Sequence, residues 1–373
     1  MRNRKISLLS VLITISLMIC FSTGCAGKAA DVQTETKSDA GKTRTVTDSL
    51  GNQVQIPEKI KRIADAWGAH NEVVAAVGAG NEIVATTLTQ DVRPWLYKVA
   101  PNLKNANTSF SVDASEINFE ELIKTKPDVL FMNANEQNAK KAHDVGIPVV
   151  QLKITDFNSL EKCVSLTGEV LGDEAKKNAD KYNAYLEEKM KMISGRTAKI
   201  PKEQKPKVLH IASLSPLTID GKDALPCLGI EVAGGINVAD ISGNSKTVSM
   251  EQILQWNPDV IILGRILSGN GLNNTAQISN TDADAILKDP DWQKIKAVRD
   301  KKVYSNPDGA FTWDRYSAEE ALQIQWLAKL FNPDLFQDID MVKETRYFFK
   351  TFMNYDLSED EANRMLAGQP PAH

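Results

Sequence analysis

Aromatic, basic and imidazole side chains crowd into a few short stretches of this chain: Trp67-Gly68-Ala69-His70, Arg93-Pro94-Trp95 and Trp313-Asp314-Arg315-Tyr316. Asn133, Ser213 and Arg265 stand in comparable places, each at or just after an apolar run. Aromatic faces suit flat or bulky organic molecules, and the guanidinium fork grips oxygen-rich anions through paired hydrogen bonds. The chemistry these types imply is capture rather than bond cleavage. The chain holds no GxSxG, no GxxxxGK[ST] and no HExxH, and Gly78-Ala79-Gly80 lacks the third glycine of a dinucleotide loop. The acidic pair Asp282 and Asp284 reads as surface charge, so no residue is assigned a catalytic role. Trp256, Trp292 and Trp326 fall on or beside helical patterns and are assigned to packing. For Trp67, Trp95 and Trp313, packing competes evenly with ligand contact.

Histidine is scarce, with only 4 in the chain: His70, His143, His210 and His373. A site for a bare transition metal gathers several His or Cys ligands. Here only His70 falls in a strong loop position, His143 sits on a helix face, and His210 reads as a satisfied strand residue. A metal already wrapped in a chelator is favoured, with His70 at most completing its coordination.

The loops need elements to hold them. The stretch TRTVTDSLGNQVQI alternates about a turn at Asp48–Gly51 and predicts a hairpin. Strand patterns then follow at Arg62–Asp65, Glu82–Thr86, Val129–Met132 and Pro148–Leu152, with helices at Asn71–Val77, Phe119–Lys124 and Asn138–Val145 between them. Such alternation implies a mainly parallel sheet flanked by helices. From Asp173 to Ile193 the apolar residues recur at helical spacing, giving one amphipathic helix of about 30 Å. The alternation restarts with strands at Lys207–Ile211, Val260–Leu263 and Val303–Tyr304, and helices fill the tail. An internal repeat links the two halves: INFEELIKTKPDVLFM (Ile117–Met132) aligns without a gap to VSMEQILQWNPDVIIL (Val248–Leu263). The fold class read from this is α/β: two Rossmann-like lobes, each a mainly parallel sheet flanked by helices, joined by one long α-helix. The boundaries are residues 43–172 for the first lobe, 173–194 for the helix, and 195–373 for the second lobe with its terminal helices. Ligands in such sheets sit at the carboxyl ends of the strands, here in a cleft between lobes. The rod-like connection predicts only a small opening motion.

The start of the chain is of another kind. Arg2, Arg4 and Lys5 precede the apolar run Ile6–Phe21, and small residues lead to Cys25. That is the anatomy of an export signal over residues 1–24, shorter in its apolar part than the roughly 20 residues of a spanning helix. Ser22-Thr23-Gly24-Cys25 resembles a lipobox, although Ser22 stands where leucine is usual; an acylated Cys25 would anchor a polar tether over residues 25–42. Cys163 and Cys227 are far apart and read as buried free thiols. A formal net charge of -4 gives no basic face for nucleic acid.

With the signal, the segment RIADAWGAHNEVVAAVG, the segment VSMEQILQWNPDVIIL and the linking helix, the chain resembles the helical-backbone solute-binding proteins of ABC importers for ferric siderophores, haem and vitamin B12. The resemblance runs from about Thr43 to the C-terminus, and YDLSEDEANRMLAG is similar to the last helix of iron-chelate members. It implies an extracytoplasmic, lipid-anchored monomer that holds an iron–siderophore or related metal chelate and delivers it to permease subunits. No intrinsic cofactor is implied; cobalamin, haem and nickel or cobalt chelates are alternative cargoes. In that family one glutamate per lobe meets permease arginines, and the motif places these at Glu120 and Glu251. A local role is also open to them, since carboxylates favour helix starts. The competing classes are a secreted hydrolase, which would turn its ligand over, and a sensor lipoprotein, which would not stimulate an importer.

Overall fold

The computed structural model describes residues 42–264, 267–268, 277–278 and 283–372. The export signal, Cys25, the tether up to residue 41, Arg265 and His373 lie outside the described residues. Among the described residues no helix is long and apolar enough to cross a membrane.

The predicted hairpin forms as β1 (Thr43–Thr47) and β2 (Gln53–Pro57), with Thr47 opposite Gln53. Asp48 closes its turn by accepting from the backbone N–H groups of Leu50 and Asn52. The first lobe then runs β3 (Ile63–Asp65), α1 (Gly68–Ala76), β4 (Ile83–Thr86), α2 (Pro94–Val99), α3 (Phe119–Lys124), β5 (Val129–Asn133), α4 (Glu136–Asp144) and β6 (Val149–Leu152). Its sheet has the order β4-β3-β5-β6 with every pair parallel. Two helices follow, α5 (Phe157–Leu171) and α6 (Asp173–Thr197). The second lobe runs β7 (Lys207–Leu214), β8 (Leu217–Ile219), α7 (Leu225–Val232), β9 (Ile236–Asn237), β10 (Lys246–Thr247), α8 (Met250–Trp256) and β11 (Val260–Leu263). After a short pair, β12 (Leu267–Ser268) with β13 (Gln277–Ile278), come α9 (Ala283–Lys288), α10 (Lys296–Arg299) and β14 (Val303–Ser305). The tail is α11 (Glu320–Phe331), α12 (Met341–Phe352) and α13 (Glu359–Leu366). This second sheet is mixed: β9, β11 and β14 extend β7 in parallel fashion, while β8 and β10 add an antiparallel edge.

The repeat in the sequence is a repeat in structure. Asn118 caps α3 by accepting from the N–H of Glu121, and Ser249 caps α8 by accepting from the N–H of Gln252. Each helix ends at a residue with positive φ directly before proline, Lys126 at 46° and Asn257 at 41°. The aspartate after each proline then reaches the foot of the neighbouring strand. Asp128 accepts from the N–H groups of Lys61 and Arg62 at 2.7 and 2.9 Å. Asp259 accepts from the N–H of Lys207 at 2.9 Å. The motif thus sets the register of β5 against β3 and of β11 against β7.

The connection between lobes is broader than one rod. Helix α6 is 25 residues long, longer than the sequence pattern shows, and α5 packs along it. That close approach rests on Gly168, where a Cβ would stand 2.7 Å from Cβ of Ala179. Tyr182 of α6 donates to the carbonyl of Ala318 at 2.9 Å and lies edge-on to Phe352. One apolar cluster runs from Val46 in the hairpin to Met365 in the last helix. The tail also crosses back, which the boundary at 195–373 did not anticipate: Lys98 of α2 pairs with Glu361 of α13 at 2.5 Å, and Trp95 donates to the carbonyl of Gln369. Cys163 and Cys227 are free and buried, as expected.

Gly168→Val should destabilise the fold by roughly 1–3 kcal/mol by overpacking the α5–α6 seam. Urea unfolding measures this, and an unchanged midpoint would contradict the close packing.

Candidate ligand-binding site

The loops at the carboxyl ends of the strands converge where the two lobes meet. Asp65, the last residue of β3, accepts from the N–H of Trp67 and from Nδ1 of His70 at 2.8 Å. The other ring nitrogen of His70 stands 2.8 Å from the Thr167 hydroxyl, which itself donates to the carbonyl of Cys163. That hydroxyl therefore accepts from Nε2, and both ring nitrogens carry protons. Burial opposes the charged ring, but Asp65 outweighs it and raises the pKa to about 10. His70, which the sequence offered to complete a metal site, is fully buried, and its two ring nitrogens are taken up by Asp65 and Thr167. Trp67 stacks over it at 6.2 Å and stays half-buried at the lobe boundary.

Arg93 precedes α2 and reaches across to the other lobe. Its Nη1 lies 3.0 Å from Oδ1 of Asp308, and its guanidinium lies 4.5 Å above the Phe311 ring. The neighbouring Glu72 of α1 accepts from the N–H of Ala318 at 2.6 Å, again across the boundary. Glu319 accepts from the N–H groups of Ala310 and Phe311, folding the segment after β14 onto itself. Both glutamates are fully buried. Burial pushes Glu72 up to about 8, against the pull of the Ala318 N–H and His70. Burial and then the neighbouring Glu72 charge raise Glu319. The sequence placed Arg93, Trp95 and Trp313 against the ligand. The structure instead puts Arg93 in an inter-lobe ion pair, Trp95 under the C-terminal tail, and Trp313 wholly inside the shared core.

The second lobe contributes Ser213, Arg315 and Tyr316. Ser213 is buried and accepts from the N–H of Ser215, shaping the β7–β8 turn. Arg315 is buried and pairs with Asp220 at 2.7 Å. Tyr316 is half-buried, with its hydroxyl donating to Oδ1 of Asn244 at 2.6 Å. Burial raises its phenol to about 12, which keeps it a neutral donor. In the first lobe Asn133 is exposed at the end of β5. Trp67, Asn133, Tyr316 and Asn244 are the candidates at this edge that keep accessible surface. Asn244, Asp220 and Asp314 escaped the sequence reading because nothing in their neighbourhood marks them; only the FTWDRY stretch, which contains Asp314, hinted at one. A surface groove of about 560 Å³ lies elsewhere, between the hairpin and α4, and none of the candidates lines it.

Glu120 and Glu251 occupy the same place in each lobe, the second residue of α3 and of α8, and both are exposed. Residues 66–310 match the family model of a periplasmic binding protein. The chain belongs to this family. Its members are extracytoplasmic solute-binding components of ABC importers, and the two lobes seen here are their architecture. Over 349 residues the chain is 28% identical to the molybdate-binding protein MolA of Haemophilus influenzae, spanning 86% of this chain and 94% of that one. The solved structure of MolA with molybdate superposes at a TM-score of 0.73 and 26% identity, over 84% of this chain and 99% of that one. A periplasmic solute-binding protein of Veillonella parvula superposes at 0.74 with 29% identity, over 87% and 97%. An ABC transporter substrate-binding lipoprotein of Bacillus subtilis, YvrC, is 25% identical over 301 residues, 79% of this chain and 87% of that one.

The raised groups at the boundary make stability depend on pH in one direction. Glu72 is raised, so its contribution is complete below the ordinary carboxyl range and disappears as pH climbs through about 8. His70 is raised, so its contribution is complete below the ordinary imidazole value and disappears through about 10. The melting temperature should fall from about pH 5 to 10, and Glu72→Gln should flatten the part of that fall below about pH 8. Thermal unfolding across the range checks this; a melting temperature that climbs with pH would overturn it.

Proposed function

We propose that this protein captures a metal-centred anion between its lobes and delivers it to an ABC importer, to which Glu120 and Glu251 dock. The observation that carries the reading is the equivalence of those two glutamates. Two exposed carboxylates at one repeat position, each on a capped helix start, offer a two-point contact to a basic permease surface. Such contacts govern orientation and association rate more than affinity. Cys25 would carry the lipid that holds the protein at the membrane, and likeness to a lipoprotein relative supports that assignment.

For the cargo, an iron–siderophore or related chelate and a small oxyanion of the molybdate kind both fit. The oxyanion gains from two observations. Trp95 and Trp313, which pointed to a bulky flat ligand, are buried in packing. The relative that matches over most of its length is named for molybdate. A compact anion bound by Tyr316, Asn244, Asn133 and Arg265, against the half-buried Trp67, is the form favoured here.

The tests are direct. Glu120→Ala combined with Glu251→Ala should abolish uptake in cells and leave the affinity of the purified protein within about twofold; a loss of affinity would overturn the docking role. Titration of tryptophan fluorescence with molybdate, tungstate, ferric citrate and a ferric hydroxamate should show saturable binding of the oxyanions. Tight binding of the hydroxamate alone would return the assignment to a siderophore.

A further inference from the structure

Beneath the second lobe's half of the cleft lies a buried group of charged residues, with Glu320 beside it. His210 on β7 faces carboxylates through both ring nitrogens: Nδ1 is 2.9 Å from Asp220 and Nε2 is 2.7 Å from Asp314. Asp314 only accepts, so Nε2 carries a proton, and Nδ1 at ion-pair distance from Asp220 favours the cationic ring. Burial opposes that charge, and hydrogen bonding to the two aspartates overcomes it, raising the pKa. Arg315 joins the group through Asp220 at 2.7 Å. Asp314 is held ionised against the effect of burial by Arg315 and His210. Two positive and two negative charges therefore cancel out of reach of solvent, all four residues being buried.

The group meets three loops. Asp220 follows β8, and its Oδ1 accepts from the N–H of Ser245 at 2.9 Å, pinning the turn that carries Asn244. Asp314 follows Thr312, whose hydroxyl donates to it at 2.6 Å. Gly264 ends β11 against the group so tightly that a Cβ would stand 2.3 Å from Asp314 and 2.5 Å from His210. Next to Arg315, Tyr316 has φ of 60°, a conformation that bulky side chains avoid. Its N–H is held by Glu320 at 3.1 Å. Strain of this kind persists where the surroundings impose it and clusters at binding sites. Buried ion groups contribute little net stability, whereas removing one partner leaves an uncompensated buried charge.

We propose that His210, Asp220, Asp314 and Arg315 form a positioning clamp that locks three cleft loops into one wall and thereby presents Tyr316 and Asn244 as the second lobe's specificity-determining pair. With the phenol's one proton given to Oδ1 of Asn244, the pair offers the Asn244 amide N–H groups to the oxygens of an anion, and Tyr316 fixes how that amide points. Because the clamp is charge-balanced, it adds no net attraction of its own; selection comes from where the donors are held. The ligand part of this inference rests on the function proposed above, whereas the clamp itself does not.

The test has an arm for each. In the ligand-free protein, Asp220→Asn should raise hydrogen exchange at residues 241–247 and 312–317 by tenfold or more, with the first lobe unchanged. Equal protection in wild type and variant would overturn the clamp. In the ligand arm, molybdate is the probe and ferric citrate the second. Asp220→Asn and Tyr316→Phe should each weaken binding about tenfold or more, and the double variant should be no weaker than the poorer single one. Additive losses would mean that the clamp acts on stability alone. Tyr316→Phe leaves the buried charges intact and is expected to fold even where Asp220→Asn does not; unchanged affinity in Tyr316→Phe would overturn the specificity role. Wild type that binds neither probe would count against the proposed cargo, and the exchange arm would still decide the clamp.

Discussion

Arg93 reaches Asp308 from one lobe to the other at a largely buried boundary, and that ion pair sets the terms for what surrounds it. A guanidinium cannot shed its charge, so a buried one requires a carboxylate and an aligned partner surface. Asp308 supplies the first and the Phe311 ring the second. Both belong to the segment between β14 and α11, which is therefore held between the lobes rather than looped into solvent. The same segment supplies Ala318 to Glu72 and to Tyr182, and it carries Trp313 into the core. Between the buried Trp313 and Ala318 the chain comes partly to the surface at Tyr316, with its left-handed backbone.

The two halves solve one problem in the same way and then diverge. In each, a side-chain cap starts a short helix, a left-handed residue before proline ends it, and an aspartate ties the next strand to its neighbour. These are local devices that a duplicated stretch keeps intact. What differs is the burial of charge around the sheets. The first lobe hides one imidazolium between Asp65 and Thr167, beneath the Trp67 ring. The second hides an imidazolium and a guanidinium among two aspartates, directly beneath its cleft loops.

Local patterns were legible in the sequence for that reason. The hairpin, the parallel strands, the long helix and the repeat all show as periodicity or as a fixed offset of residues. Helix α5 was missed because Thr167 and Gly168 interrupt its apolar face; both serve neighbours, Gly168 for α6 and Thr167 for His70. The site was legible in part. Residue type announced Arg93, Trp95 and Trp313 as binders, but type carries no burial, and the partners that absorb them lie more than two hundred residues away for Arg93 and Trp95. The carboxyl edge of a parallel sheet is fixed by topology, so the sequence can name the loops there as a group without telling which of their side chains stay accessible.

The continuous core also bears on movement. A hinge that swung the lobes apart at their base would pull Arg93 from Asp308 and the Ala318 N–H from Glu72. Each separation would leave a buried charged or polar group without its partner, at a cost of several kcal/mol apiece. Helices α5, α6, α11 and α12 would have to shear as well, with Tyr182 and Phe352 parting. Motion is therefore cheapest at the rim, where Trp67, Asn133 and Asn244 keep access to solvent and no ion pair crosses among the described residues. A binding protein built this way admits its cargo by adjusting loops over a fixed base, and its selectivity then depends on how firmly those loops are held before the ligand arrives.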